Sequence, residues 1–205
     1  MRRSWLIASV VVLVALLAAI PAVASSHTVG IGGPRIPLRA GSTEYEFYPA
    51  APVYAPSNDV VKPGDLIVAW VQYNSNNNTF TTFLKDVTEG WTYVSPATSV
   101  PGADRSSAEW IVERPAIGGS LTTLANFGTA EFGPYYTSVS GTCYAEIDGT
   151  YSPLGTSAFN STSITMVNSN NQTLASPSGL LSEGTSFNVA YVSGTSSTSS
   201  PHGHK

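Results

Sequence analysis

The chain has 205 residues, of which 11% are charged, with nine Lys and Arg against thirteen Asp and Glu and a formal net charge of −4. This acidic balance argues against nucleic acid as a partner, because nucleic-acid binding needs a basic surface. The length suits one domain with a proper core, preceded by an N-terminal leader.

Residues 1–24 have the composition of a secretory signal peptide. A short basic head precedes an apolar run over residues 6–20, and residues 22–24 form an A-x-A cleavage site. The alternative is an uncleaved membrane anchor, because the apolar run approaches the length that spans a bilayer. We expect cleavage after Ala24, since Pro21 and the small residues fit a signal end. This predicts a secreted protein with no stable membrane association.

Residues 25–42 are predicted to form an irregular N-terminal segment, because Gly-rich and Pro-rich turns interrupt them. The glycines at residues 30–33 do not indicate a phosphate loop, since no βα unit surrounds them. The tail over residues 193–205 is rich in Ser, Thr and Gly and is predicted to be disordered.

Residues 43–192 are predicted to form one all-β domain. Strands are expected at residues 45–48, 66–74, 79–86, 91–94, 108–113, 137–147, 163–168 and 186–192, and a short turn and strand at residues 126–132. The strand at 66–74 is apolar on both faces, which predicts a central position. No segment shows a sustained helical period. Short strands separated by turns indicate an antiparallel β-sandwich.

The single cysteine, Cys143, excludes an intrachain disulfide and is interpreted as a buried structural thiol. A nucleophilic role would need a partner histidine, and all three histidines lie in the terminal segments. No Cys/His spacing suggests a zinc site, so we expect no metal and no cofactor.

The stretch A-E-W-I-V-E at residues 108–113 alternates apolar and acidic residues. In a strand, Trp110 points to one face, and Glu109 and Glu113 point to the other, about 13 Å apart at about 3.3 Å per residue. The plain interpretation is a sandwich strand with Trp110 in the core and a solvated outer face.

Several motifs together resemble the glutamic peptidase (eqolisin) family of pepstatin-insensitive acid proteases. They are V-G-I-G-G at residues 29–33, Y-E-F-Y-P at 45–49, P-G-D at 63–65, A-E-W-I-V-E at 108–113, A-N-F-G at 125–128 and S-F-N-V-A-Y-V at 186–192. The resemblance covers residues 29–192 in collinear order. It implies a two-sheet, jelly-roll-like, concanavalin A-like β-sandwich with a substrate groove on one sheet.

The family uses a catalytic glutamate and glutamine, and the resemblance places the glutamate at Glu113. A carboxylate can take a proton from the water that attacks a peptide carbonyl and return it to the leaving amine. A side-chain amide can donate to the developing oxyanion without titrating at acid pH. Five further residues are candidates for the substrate groove. They are Glu109, Arg39, Glu46, Tyr48 and Gln72.

The family's glutamine is missing from its expected place upstream of Y-E-F-Y-P. Arg39 stands near that place, while the only glutamines, Gln72 and Gln172, do not match it. The chain therefore resembles an eqolisin shortened at its N-terminal side, and deletion of an oxyanion donor typically costs about 10²–10³ in rate. We expect a secreted, monomeric acid endopeptidase homologue acting on polypeptides, with weakened or lost activity.

Two alternatives to the peptidase stay open at the level of sequence. One is a non-catalytic secreted module that binds peptide or polysaccharide through exposed aromatic residues such as Tyr45, Phe47 or Trp91. The other is a degenerate reading frame that does not fold stably.

Overall fold

The structure, a computed structural model, describes residues 44–47, 50–62, 65–103, 105–114, 116–117 and 120–192. The predictions for residues 1–43 and 193–205, including the signal peptide and the tail, lie outside the described residues. The described part contains fourteen strands and one short helix. They are β1 (Glu44–Tyr45), β2 (Val53–Tyr54), β3 (Ile67–Asn74), β4 (Thr79–Asp86), β5 (Thr92–Val94), β6 (Thr98–Ser99), β7 (Ala116–Ile117), β8 (Ser120–Leu121), β9 (Thr129–Phe132), α1 (Pro134–Thr137), β10 (Tyr144–Ile147), β11 (Thr150–Pro153), β12 (Met166–Val167), β13 (Thr173–Pro177) and β14 (Phe187–Tyr191).

Two four-stranded antiparallel sheets form the body of the molecule. The first has the order β3-β4-β5, with β6 also pairing with β4, and the second has the order β12-β13-β14-β9. Three two-stranded pairs, β1-β2, β7-β8 and β10-β11, accompany them. The predicted all-β class and sandwich architecture are confirmed.

Strand β4 shows most clearly how the sequence pattern sets the first sheet. Its aromatic and β-branched residues favour a strand, and alternate side chains from Phe80 to Asp86 are buried. The preceding turn is closed by Asn74, whose side chain accepts a hydrogen bond from the Asn76 backbone, and by Asn78 in the left-handed conformation. Phe80 packs with Tyr45 and Phe47 in the core of this sheet.

The second sheet has its own hydrophobic core. The rings of Phe132 on β9 and Phe187 on β14 stack with centroids 4.7 Å apart. These strands pair directly, with Phe132 opposite Phe187. Cys143 lies buried in the same core as a free thiol, as predicted, and burial raises its pKa to about 12.

Strand β3 corrects the prediction of a central position. Among the described strands it lies at the edge of its sheet, with β4 as its neighbour. Its outer face carries Trp70, which is 41% exposed and stacks on Phe83 of β4 at 4.5 Å. The apolar residues of this face are therefore covered mainly by an aromatic pair that spans the two strands. The sequence pattern alone cannot distinguish this arrangement from burial under a second layer of structure.

The predicted strand over residues 137–147 is wrong in its first half. Gly133 has φ 92° and ψ 173°, a conformation that suits glycine, and Pro134 then begins the single turn α1. Ser138 ends α1 in the left-handed conformation, so the chain enters a strand only at Tyr144. No helix of the described residues is long and apolar enough to cross a bilayer.

Candidate active site

The segment 108–113 lies outside the β-ladders of the described residues, so the predicted strand at this place is wrong. Its two faces are nevertheless divided as the alternation predicts. Trp110 and Val112 are partly buried against the core of the second sheet, whereas Glu109, Ile111 and Glu113 are exposed. The alternation of apolar and polar residues indicates which side chains can be buried, but it does not show whether the backbone pairs with another strand.

Glu113 is open to solvent on the side of the segment opposite Trp110 and Val112. It forms no hydrogen bond or ion pair with any described residue. Partial desolvation raises the pKa of its carboxyl group above the ordinary value, and the negative charge of Glu46 raises it further. A carboxyl group with a raised pKa and free oxygens can exchange a proton with a bound water molecule.

Glu46 owes its position to its two neighbours in the chain. Tyr45 and Phe47 are buried, and their rings meet edge to face with centroids 5.6 Å apart. Residues that alternate in an extended segment point to opposite sides, which directs Glu46 away from this core. The aromatic pair therefore anchors the backbone that carries the second carboxylate, and it places that carboxylate within electrostatic reach of Glu113.

Arg114 fixes the chain directly after Glu113. Its Nε donates a hydrogen bond to the backbone carbonyl oxygen of Thr122. This bond joins the end of the Glu113 segment to the segment that leads into β9, and it gives Arg114 a structural role.

The other predicted site residues are dispersed. Glu109 is exposed, and Gln72 is exposed on β3 opposite Thr81. Neither forms a hydrogen bond or an ion pair with Glu113. The Oε1 atom of Gln172 accepts a hydrogen bond from Asn168 at 2.8 Å, within the turn between β12 and β13. Arg39 and Tyr48 lie outside the described residues.

Two of the three aromatic residues considered for a binding groove are not available for that role. Tyr45 and Phe47 are buried in the core of the first sheet. Trp91 is partly buried, and its indole Nε1 is fully enclosed.

The acidic residues of the described part of the chain do not form a metal centre, because no group of three or more His, Cys, Asp and Glu residues there is placed to hold an ion. Residue spacing gave no signal for the proximity of Glu46 to Glu113, because 66 residues lie between them, and only the inclusion of Glu46 among the predicted groove residues pointed to it.

The peptidase A4 family model matches residues 39–191, which is most of the chain and includes both Glu46 and Glu113. The chain belongs to the peptidase A4 family. This is the glutamic peptidase (eqolisin) family that the sequence motifs indicated, so the predicted resemblance is confirmed.

A solved peptidase A4 structure has the same fold. It is the crystal structure of aspergilloglutamic peptidase from Aspergillus niger, which matches with a TM-score of 0.57 and 25% sequence identity over 75% of this chain and 81% of that one. A comparison with curated proteins found no match. The family and the fold together support a glutamic-type peptidase.

Proposed function

We propose that this peptidase A4 family member is a secreted acid endopeptidase homologue in which Glu113 activates a water molecule. The observation that carries the proposal is the setting of Glu113. It is solvent-open, free of hydrogen bonds and ion pairs to described residues, and raised in pKa by desolvation and by Glu46. Its substrate would be a polypeptide, and we expect the protein to act as a monomer without a cofactor.

In the proposed reaction the ionised Glu113 carboxylate accepts a proton from water as the water oxygen attacks a peptide carbonyl carbon. The protonated carboxyl group then donates that proton to the leaving amine, which returns Glu113 to its starting state. The raised pKa favours the first step, because the carboxylate of a weaker acid is a stronger proton acceptor. General acid–base catalysis of this kind contributes about 10²–10⁴ in rate.

We propose that the activity is weakened because the family's oxyanion-donating glutamine is missing. The residue near its place in the sequence is Arg39. A guanidinium there would stabilise the ionised form of Glu113 and so weaken it as the base that accepts a proton from water.

The test is cleavage of an acid-denatured protein by the purified chain between pH 2 and 7, with pepstatin present. We expect cleavage at acid pH that Glu113→Gln lowers by about 10²–10⁴, the usual contribution of a general acid–base group. Glu109→Gln is the matched control, because Glu109 is a glutamate of the same segment and is equally exposed. Absence of cleavage at every pH, or equal cleavage by wild type and Glu113→Gln, would contradict the proposal.

Secretion is tested separately from chemistry. We expect the exported protein to begin at Ser25, after the A-x-A site at residues 22–24. N-terminal sequencing of protein recovered from the medium measures this directly. Recovery of the uncleaved chain from membranes would instead favour the alternative in which residues 1–24 remain as a membrane anchor.

A further inference from the structure

Two buried aspartates lie next to each other at one end of the first sheet. Asp86 ends β4 and is 0% exposed, and Asp65, just before β3, is 3% exposed. In the antiparallel register Ile67 is the direct partner of Asp86. Asp65 lies two residues before Ile67, so it belongs to the same face and is the diagonal neighbour of Asp86 across the two strands.

Backbone N–H groups donate hydrogen bonds to only some of the oxygen atoms of these two carboxyl groups. The N–H of Lys62 donates to Oδ2 of Asp65 at 2.5 Å, and the N–H of Glu89 donates to Oδ1 of Asp86 at 2.8 Å. The other oxygen of Asp86, Oδ2, is fully buried and has no donor. A proton on either carboxyl group would supply that donor, because a neutral carboxyl group has an O–H and an ionised one does not.

The charged groups that act on the pair are Lys62 and Glu89. The Nζ atom of Lys62 lies 2.6 Å from an Oε atom of Glu89, and the lysine side chain is 55% exposed. Most of the lysine charge is therefore offset by Glu89 or by water. Burial, first, and then the hydrogen bond and the charge of Asp65 raise the pKa of Asp86 above its ordinary value.

We propose that Asp65 and Asp86 share one proton in the folded protein at acid pH, and that the loss of this proton as the pH rises destabilises the fold. The pair holds the turn after β4 against the segment that enters β3. Val87 and Leu66 join these two segments through a backbone hydrogen bond at 2.7 Å, and the Leu66 N–H also donates to Oγ1 of Thr88 at 2.8 Å. Repulsion between two ionised carboxylates acts at this junction.

The direction of the pH dependence follows from proton linkage. A buried acid whose pKa is higher in the folded than in the unfolded chain keeps its proton longer when folded. Its stabilising contribution is complete below the unfolded pKa, near 3.8. That contribution is lost as the pH rises through the pKa of the acid in the folded protein. Each unit of difference between the two values changes the ratio of folded to unfolded protein about tenfold.

Urea unfolding of the full chain at pH 3 to 7, followed by tryptophan fluorescence, tests the proposal. An asparagine at residue 86 mimics the protonated acid, because its amide can donate to Asp65 while its oxygen accepts from Glu89. We expect Asp86→Asn and wild type to have similar midpoints at pH 3. At pH 7 the variant's ratio of folded to unfolded protein should exceed that of wild type. Asp59→Asn, the same change at a partly exposed site, should keep the wild-type pH dependence.

Parallel pH profiles for wild type and Asp86→Asn would overturn the proposal. If the variant does not fold, carboxyl carbon shifts of the wild-type protein provide a second test. We expect the Asp86 carboxyl group to lose its proton at higher pH than an ordinary aspartate. Titration of Asp86 at the ordinary value of about 3.9 would overturn the proposal. The inference does not depend on peptidase activity, because both experiments measure folding or protonation and neither uses a substrate.

Discussion

The carboxylate of Glu46 lies close enough to that of Glu113 to raise its pKa through charge repulsion. The charge of one residue thus acts on the protonation of another that is far away in the sequence. In the proposed reaction Glu46 adds to desolvation in raising the pH at which the general base Glu113 becomes ionised.

Glu46→Gln removes the negative charge and retains the size of the side chain, so we expect the pKa of Glu113 to fall. The limb of kcat/KM that rises with pH should therefore move to lower pH, because Glu113 ionises earlier. A pH–rate profile between pH 2 and 6 measures the shift. Glu109→Gln is the control, since Glu109 does not contribute to the shift of Glu113. An unmoved limb in Glu46→Gln, or an equal movement in the control, would show that the coupling does not govern the reaction.

Arg39→Gln restores a neutral amide donor near the place that the family motif assigns to its glutamine. We expect kcat to rise by about 10²–10³, the usual contribution of one oxyanion donor. Arg35→Gln makes the same change four residues earlier and should leave kcat unchanged. Steady-state kinetics on an acid-denatured protein measure both. No gain in Arg39→Gln would place the missing donor elsewhere in the chain.

Gly133→Ala should destabilise the fold strongly. A Cβ atom at Gly133 would collide with the carbonyl oxygen of Thr185 and would lie 2.7 Å from Cα of Ser186, and φ is 92°. Backbone strain and steric overlap together predict a loss of about 3 kcal/mol or more. Gly149→Ala is the matched control, because Gly149 also has positive φ but nothing lies within 4 Å of the added carbon. Strain alone predicts about 1 kcal/mol there, and equal losses in thermal melts of the two variants would contradict the argument.

Local pattern was sufficient where a strand is bounded by strong turns. Residues 79–86 were predicted as a strand and form β4, and the predicted strand at 186–192 contains β14. The asparagine turns before β4 and between β12 and β13 supply the stops that make these boundaries readable.

The sequence pattern was insufficient where the structure of a segment depends on its contacts with other parts of the chain. The alternation around Trp110 predicted its buried face correctly, yet no strand forms there, because a ladder requires a neighbouring backbone. The pairing of Asp65 with Asp86 depends on the register of β3 against β4. Neither aspartate has a sequence signal for burial, since isolated acids are usually exposed.

The buried thiol of Cys143 has a practical consequence for handling this protein. As the chain has one cysteine, its native state holds no intrachain cross-link that must form during folding. Refolding from urea therefore needs no oxidant, and a reducing agent such as glutathione should leave the yield unchanged. A protein of this kind can be produced in the reducing cytoplasm of an expression host without loss of its native covalent structure.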